Sequence, residues 1–294
     1  MLRAAIVLAL TAVWLAAGCA QSPPLPRDPT ATYVPPPTAT PEPTATPVPG
    51  HIWIQSLPLA EVSIVGSILL YDGIIDQPSY DHFRRIVAAS DVVIKTIQIR
   101  SNGGDTSSSL MMGEWIFDQG LDVVVEDYCF SACANYIFTA GRGKVIKDGS
   151  VVGWHGSNLT SEFVANDLGI TLEEQLKQEF DASIEDAPIQ VESSAHYQML
   201  FSQYKGSYLR QVDDERKFFE KIGVNPKLLT FGFLSEHHDA LHTEGDDHYS
   251  LWTFSIEDME RFGVSNVSYE GDREYPSDLT LEISPDVVLV SVPE

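Results

Sequence analysis

The spacing of apolar residues changes several times along the chain, and each change marks an element. "VSIVGSILL" (Val62–Leu70) is a β-branched apolar run and predicts a strand. "PSYDHFRRIVAAS" (Pro78–Ser90) places Phe83, Ile86 and Val87 at helical spacing. "DVVIKTIQIRSNGGD" returns to a strand pattern with Ile94, Ile97 and Ile99, then stops in a turn made by Asn102, Gly103 and Gly104. In "SSSLMMGEWIFDQG", Ser107–Ser109 are candidate caps and Leu110, Met111, Trp115 and Ile116 form a helical stripe expected to be buried. "LDVVVEDY" predicts a third strand and "SACANYIFTAG" a short helix ending near Gly141. "GKVIKDGSVVGWHG" predicts a strand pair with its turn at Asp148 and Gly149. Strand and helix alternate, and that rhythm predicts an α/β fold: a parallel sheet with right-handed βαβ crossovers.

After His155 the rhythm gives way to a helical insertion, about residues 158–245. The segment is rich in Glu, Gln and Lys, and Tyr208, Val212 and Phe219 recur at helical spacing. Its end, "SEHHDALHTEGDDHY", gathers His237, His238, Asp239, His242, Asp246, Asp247 and His248. On a helix His238 and His242 would share a face, as metal ligands do. The run lacks the glutamate base of the zinc peptidase motif, however, and Gly245 with the acids after it reads as a solvated loop. No metal and no cofactor is expected.

The N-terminal part has no folding pattern. Arg3 precedes an apolar stretch, "AAIVLALTAVWLA", too short for a normal membrane span, and "LAAGC" ends in Cys19. This stretch resembles a bacterial lipoprotein signal, which implies residues 1–18 as a removed leader, lipid attachment at Cys19 and a membrane-anchored, extracytoplasmic protein. An ordinary secretory signal is the alternative, and either one exports the chain. Residues 19–50 are dominated by Pro and Thr, with few charges, and are read as an extended linker. Residues 51–294 are globular in composition and form one domain with the insertion inside it. The formal net charge of −24 leaves no basic stripe for phosphates, so nucleic acid is not an expected partner.

In a parallel α/β sheet chemistry gathers beyond the carboxyl ends of the strands, and three segments end there: "SNGGD", "CFSAC" and "GWHG". Paired glycines let backbone amides approach a substrate closely. Ser131 at a helix start is an ordinary cap when taken alone. With the Gly-Gly turn and with His155 as a base, it becomes a candidate nucleophile. With Cys19 set aside, Cys129 and Cys133 are left either as one local bridge around Ser131 or as two buried thiols.

Read in order, "IRSNGGD", "GEWIFDQG", "VVVEDYCFSACANYIFTAG", "GKVIKDGSVVGWHG" and "WTFSIEDMERFGV" resemble the serine peptidase core of the Clp protease family, within the Clp/crotonase superfamily. Within that family the "SAC" motif is similar to that of an exported branch. The resemblance covers about residues 60–157 and 250–267, and His155 follows Ser131 by 24 positions, as the family pattern requires. It implies a ClpP/crotonase-like sheet and a peptidase in which Ser131 is the nucleophile and His155 the base. Amides of Gly103, Gly104 and Ala132 would then form the oxyanion hole. At the position aligned with the family's catalytic acid stands Leu251, and the acids nearby are Asp246 and Asp247. A Ser-His dyad or an inactive binding protein is the alternative this departure leaves. The family's helical projection implies contact with a second copy of the chain, whereas the residues alone fit a monomer's lid equally well. The expected partners are a peptide or protein substrate, the membrane through the lipid, and the chain itself in a homo-oligomer.

Overall fold

The computed structural model describes residues 58–185, 191, 193–234, 237, 241, 251–284 and 286–293. The leader, Cys19 and the whole linker lie outside them, as do His238, Asp239, His242, Asp246, Asp247 and His248.

The sheet grows outward from its most apolar strands. β3 (Thr96–Ser101) and β4 (Asp122–Phe130) are central and parallel, and Ile97, Ile99, Val123 and Val125 on them are fully buried. Each such side chain contributes about 1.5–3 kcal/mol by leaving water, which outweighs any local preference and fixes these strands at the centre. The apolar run from Val62 is two strands rather than one. Gly66, at φ +61°, turns β1 (Glu61–Val65) back antiparallel onto β2 (Ile68–Asp72), and β2 runs parallel to β3. Gly is free to take this left-handed conformation, and the continuous apolar run hides the turn from a reading of periodicity.

Helices α1 (Gln77–Ala88) and α2 (Thr106–Gln119) form the crossovers. Each is started by an aspartate: Asp76 accepts from the Ser79 amide and Asp105 from the Ser108 amide, both at 2.8 Å. On α2 the buried stripe is Leu110, Met112 and Ile116, while Met111 is exposed and Trp115 partly so. The expected stripe was therefore one position off at Met111.

The expected strand pair is not a hairpin. β5 (Lys144–Ile146) and β6 (Val151–Gly153) both run parallel to β4, one along its first half and the other along its second. The α/β class with a mostly parallel sheet is as the sequence predicts, and its strands lie in the order β1-β2-β3-β4-β5-β8, with β8 spanning Val267–Tyr269 and β6 also on β4.

The insertion is helical: α3 (Leu159–Leu168), α4 (Leu172–Glu185) and α5 (Ser194–Ile222). Tyr208, Val212, Phe218 and Phe219 bury one face of α5. After it come β7 (Leu251–Thr253), α6 (Ile256–Arg261), β8 (Val267–Tyr269), α7 (Asp278–Ile283) and β9 (Val287–Leu289), with β8 on the edge of the main sheet and β7 paired to β9. Among the described residues no helix is long and apolar enough to cross a membrane.

Candidate active site

Strand β4 delivers Ser131 and strand β6 delivers His155. Phe130 is in register with Gly153, and the Ser131 amide donates to the Gly153 carbonyl at 2.9 Å. The nucleophile candidate thus begins one residue past the last rung of the ladder, and the base candidate follows two residues past the same rung. Parallel pairing makes both chains leave the sheet in the same direction, which brings these two side chains to one end of it.

At Ser131 the backbone takes φ +57°, a conformation that costs a non-glycine residue about 1–2 kcal/mol. Such a conformation persists only where the surroundings impose it. Here they do so three times over. Cys129 and Cys133 are joined by a disulfide, with Cα atoms 5.3 Å apart, and the bridge brackets the serine. The Ser131 carbonyl accepts from the Asn135 amide at 2.8 Å, which starts the π-helix Cys133–Phe138. Gly103 presses against the turn, so that a Cβ on it would lie 2.6 Å from the Phe130 carbonyl and 2.7 Å from the Ala132 amide.

Gly104 follows with φ +145° and would place a Cβ 2.3 Å from the Ile75 carbonyl. Both glycines are required by close approach and by their left-handed conformation. Their amides are not equivalent. The Gly103 amide donates to Ser101 Oγ at 3.0 Å, whereas among the described residues the Gly104 and Ala132 amides have no acceptor. Two free amides beside a serine at a turn can receive a developing oxyanion.

His155 is partly exposed, and burial holds its imidazole below the ordinary histidine range. It is therefore neutral at pH 7 and able to accept a proton. Among the described residues no hydrogen bond joins it to Ser131 Oγ. The loop after it is held from two sides: Asn135 Nδ2 donates to the Gly156 carbonyl at 2.9 Å, and Ser157 Oγ and the Asn158 amide donate to Glu215 of α5. Beyond the site, Trp154 and Trp252 exchange two backbone hydrogen bonds of 2.8 Å, which draws β7 alongside the end of β6. Leu251, an apolar residue, then stands with its Cβ 3.3 Å from where a Gly153 side chain would begin.

The positions the sequence reading missed are Asn135 and Glu215. Glu215 carried a usable signal: it falls on the same face of α5 as Tyr208, Val212 and Phe219, and an acid on an otherwise apolar face predicts buried donors opposite it. Asn135 carried a weaker one, a polar residue in an apolar helix.

No protein-family model matches the chain, and no curated protein matches it in sequence. Among solved structures it is similar to a ClpP1 mutant from Listeria monocytogenes, at 18% identity and a TM-score of 0.25 over 38% of this chain and 78% of that one. It is also similar to a methylmalonyl CoA decarboxylase, at 11% identity and 0.29 over 62% and 97% of the two chains. A third similarity is to an enoyl-CoA hydratase from Streptomyces coelicolor, at 11% and 0.25 over 44% and 54%. Among the described residues no group of His, Cys, Asp and Glu is arranged to hold a metal ion.

Proposed function

We propose that the protein is an exported serine hydrolase, a peptidase by its motifs, that acts by acyl transfer through Ser131 with His155 as general base. The observation that carries the reading is the φ +57° turn at Ser131, held by a disulfide and by Gly103, one residue past the β4–β6 rung that leads on to His155. A strained serine between the end of a strand and the start of a helix, partly exposed as Ser131 is, is the arrangement by which many hydrolases present a nucleophile.

In the reaction, Ser131 Oγ gives its proton to His155 and bonds to the substrate carbonyl carbon. The carbonyl oxygen takes up the negative charge and is received by the Gly104 and Ala132 amides. Each such donor is worth about 2.7–4 kcal/mol in comparable sites. The tetrahedral species then collapses as the imidazolium passes its proton to the leaving amine or alkoxide, leaving an acyl group on Ser131. Water, deprotonated by His155, attacks the acyl carbon, the bond from that carbon to Ser131 Oγ breaks as His155 returns the proton to Oγ, and the acid product leaves. Asp246 and Asp247 are the candidates for an acid behind His155. Without one of them the pair works as a dyad.

The chain is placed outside the cytoplasm by its leader, anchored through Cys19 and carried on the linker of residues 19–50. A second copy would meet the helical insertion, where Met199 and Leu209 of α5 are 50% and 45% exposed. A second reading, a surface-displayed binding protein on the same fold, is favoured by Leu251 at the acid position and by the absence of a Ser131–His155 hydrogen bond. Turnover separates the two. The full-length chain in detergent micelles, given a p-nitrophenyl ester and an unfolded protein, is expected to cleave at least one with Ser131→Ala inert. Equal rates for wild type and variant would favour the binding protein.

A further inference from the structure

Glu215 is fully buried on α5 and makes four hydrogen bonds. Its Oε1 accepts from the Asn158 amide at 3.3 Å, from Asn158 Nδ2 at 2.9 Å and from the Tyr136 hydroxyl, and its Oε2 accepts from Ser157 Oγ at 3.0 Å. Every donor comes from one of two places: the loop that directly follows His155, or the helix that Ser131 opens. One position before Tyr136 on that helix, Asn135 holds the Gly156 carbonyl. Residues 156, 157 and 158 are thus each fixed by a side chain, and two of the three are fixed by Glu215.

The carboxylate is an expensive choice for stability alone. Withdrawing it from water costs several kcal/mol, and a well-packed apolar residue would commonly serve as well or better. Two of its neighbours on that face, Val212 and Phe219, are apolar and pack without such a cost. What an apolar residue could not do is set two successive loop residues in register against the nucleophile helix, because dispersion contacts have no direction and hydrogen bonds do.

We infer that Glu215 is a positioning residue: it ties the loop carrying His155 to the helix opened by Ser131, so that the helical insertion, rather than the sheet alone, sets base against nucleophile. The role assigned to the loop rests on the hydrolase reading; the tie itself does not.

The titratable groups facing Glu215 are Tyr136 of the nucleophile helix and Tyr208 of its own helix, on which Glu162 of α3 and Glu179 of α4 also act. Burial holds both tyrosine hydroxyls well above their ordinary value, so neither ionises between pH 5 and 8. On His155 burial is the only influence that lowers its proton affinity, and no charged side chain contributes. Loosening the loop exposes the partly buried imidazole further and moves its titration up, toward the ordinary value near ~6.5.

The test uses the full-length chain in four forms: wild type, Glu215→Gln, Glu215→Leu and, as a control, Glu179→Gln. Glu179 is a buried acid of the same insertion whose partners are Ser161, Gln175 and Tyr204. Two quantities are followed: the His155 titration by NMR and the rate at which a fluorophosphonate probe modifies Ser131. Both Glu215 variants are expected to raise the His155 midpoint and to slow labelling about tenfold or more, and Glu179→Gln to do neither, even at an equal loss of thermal stability. An unchanged His155 midpoint in the folded Glu215 variants overturns the inference. Should those variants fail to fold, Asn158→Ala must shift His155 in the same direction, or the inference fails. A wild type that never labels contradicts the hydrolase reading, and the NMR shift still decides the positioning role.

Discussion

The two halves of the candidate site are held by different means. The turn around Ser131 is fixed locally: a disulfide between residues four positions apart, a backbone bond across the β4–β6 rung, and the backbone of Gly103 against Phe130 and Ala132. The loop after His155 is fixed remotely, by Asn135 at a separation of 21 residues and by Glu215 at 57 and 58. A covalent bond and a backbone contact tolerate no adjustment, whereas side-chain hydrogen bonds from an insertion can shift with whatever moves it. The candidate nucleophile is held as a fixed point and the candidate base as an adjustable one.

The largest effect expected on the fixed half comes from Gly103→Ala. Its φ of +87° and a Cβ 2.6 Å from the Phe130 carbonyl leave no room, so the Ser131 turn must move. The expected cost is about 2–3 kcal/mol of stability in chemical denaturation, with labelling of Ser131 reduced at least a hundredfold. Next is the bridge: Cys129→Ala with Cys133→Ala removes a short closed loop worth about 2 kcal/mol in the chain-entropy account and frees the φ of Ser131. Labelling should fall about tenfold while far-ultraviolet circular dichroism is kept. If it is unchanged, the disulfide is not what holds the nucleophile.

On the adjustable half, Asn135→Ala removes the donor to the Gly156 carbonyl and should cost about 1–3 kcal/mol, read as a lowered unfolding midpoint. The smallest expected effect is on pH dependence. Because burial lowers the folded-state affinity of His155 for a proton, reactivity should rise through a midpoint below ~6.5 and stay level above it. The unfolded chain binds that proton more readily, so this residue destabilises the fold as pH falls below ~6.5, and the loss levels off below the folded-state midpoint. Unfolding midpoints of His155→Gln and wild type should therefore converge at pH 8 and diverge at pH 5, with the variant the less affected by acid.

The same contrast accounts for what could be read from the sequence. The strands and helices, the glycine pair, Ser131 and His155 each at a strand end, and the cysteines around the serine are local patterns, each carried by a short run of residues. The hairpin at Gly66 was hidden because both its strands are apolar, and the strand pair read around the Asp148-Gly149 turn proved to be two strands that each pair with β4, since a tight turn fits either topology. Asn135 and Glu215 act on residues far away in sequence. A helical pattern places Glu215 on the buried face without saying that Ser157, Asn158 and Tyr136 lie opposite, since that is decided by how α5 packs.

The central claim is that Ser131 is an activated nucleophile, and covalent capture tests it most directly. The full-length chain is treated with a fluorophosphonate, and the adduct is located by intact mass and peptide mapping, beside Ser131→Ala and His155→Ala. The account predicts a single adduct on Ser131 in wild type that is absent from both variants. A folded wild type that stays unmodified while a control hydrolase reacts, or an adduct that persists in His155→Ala at the wild-type rate, would contradict it.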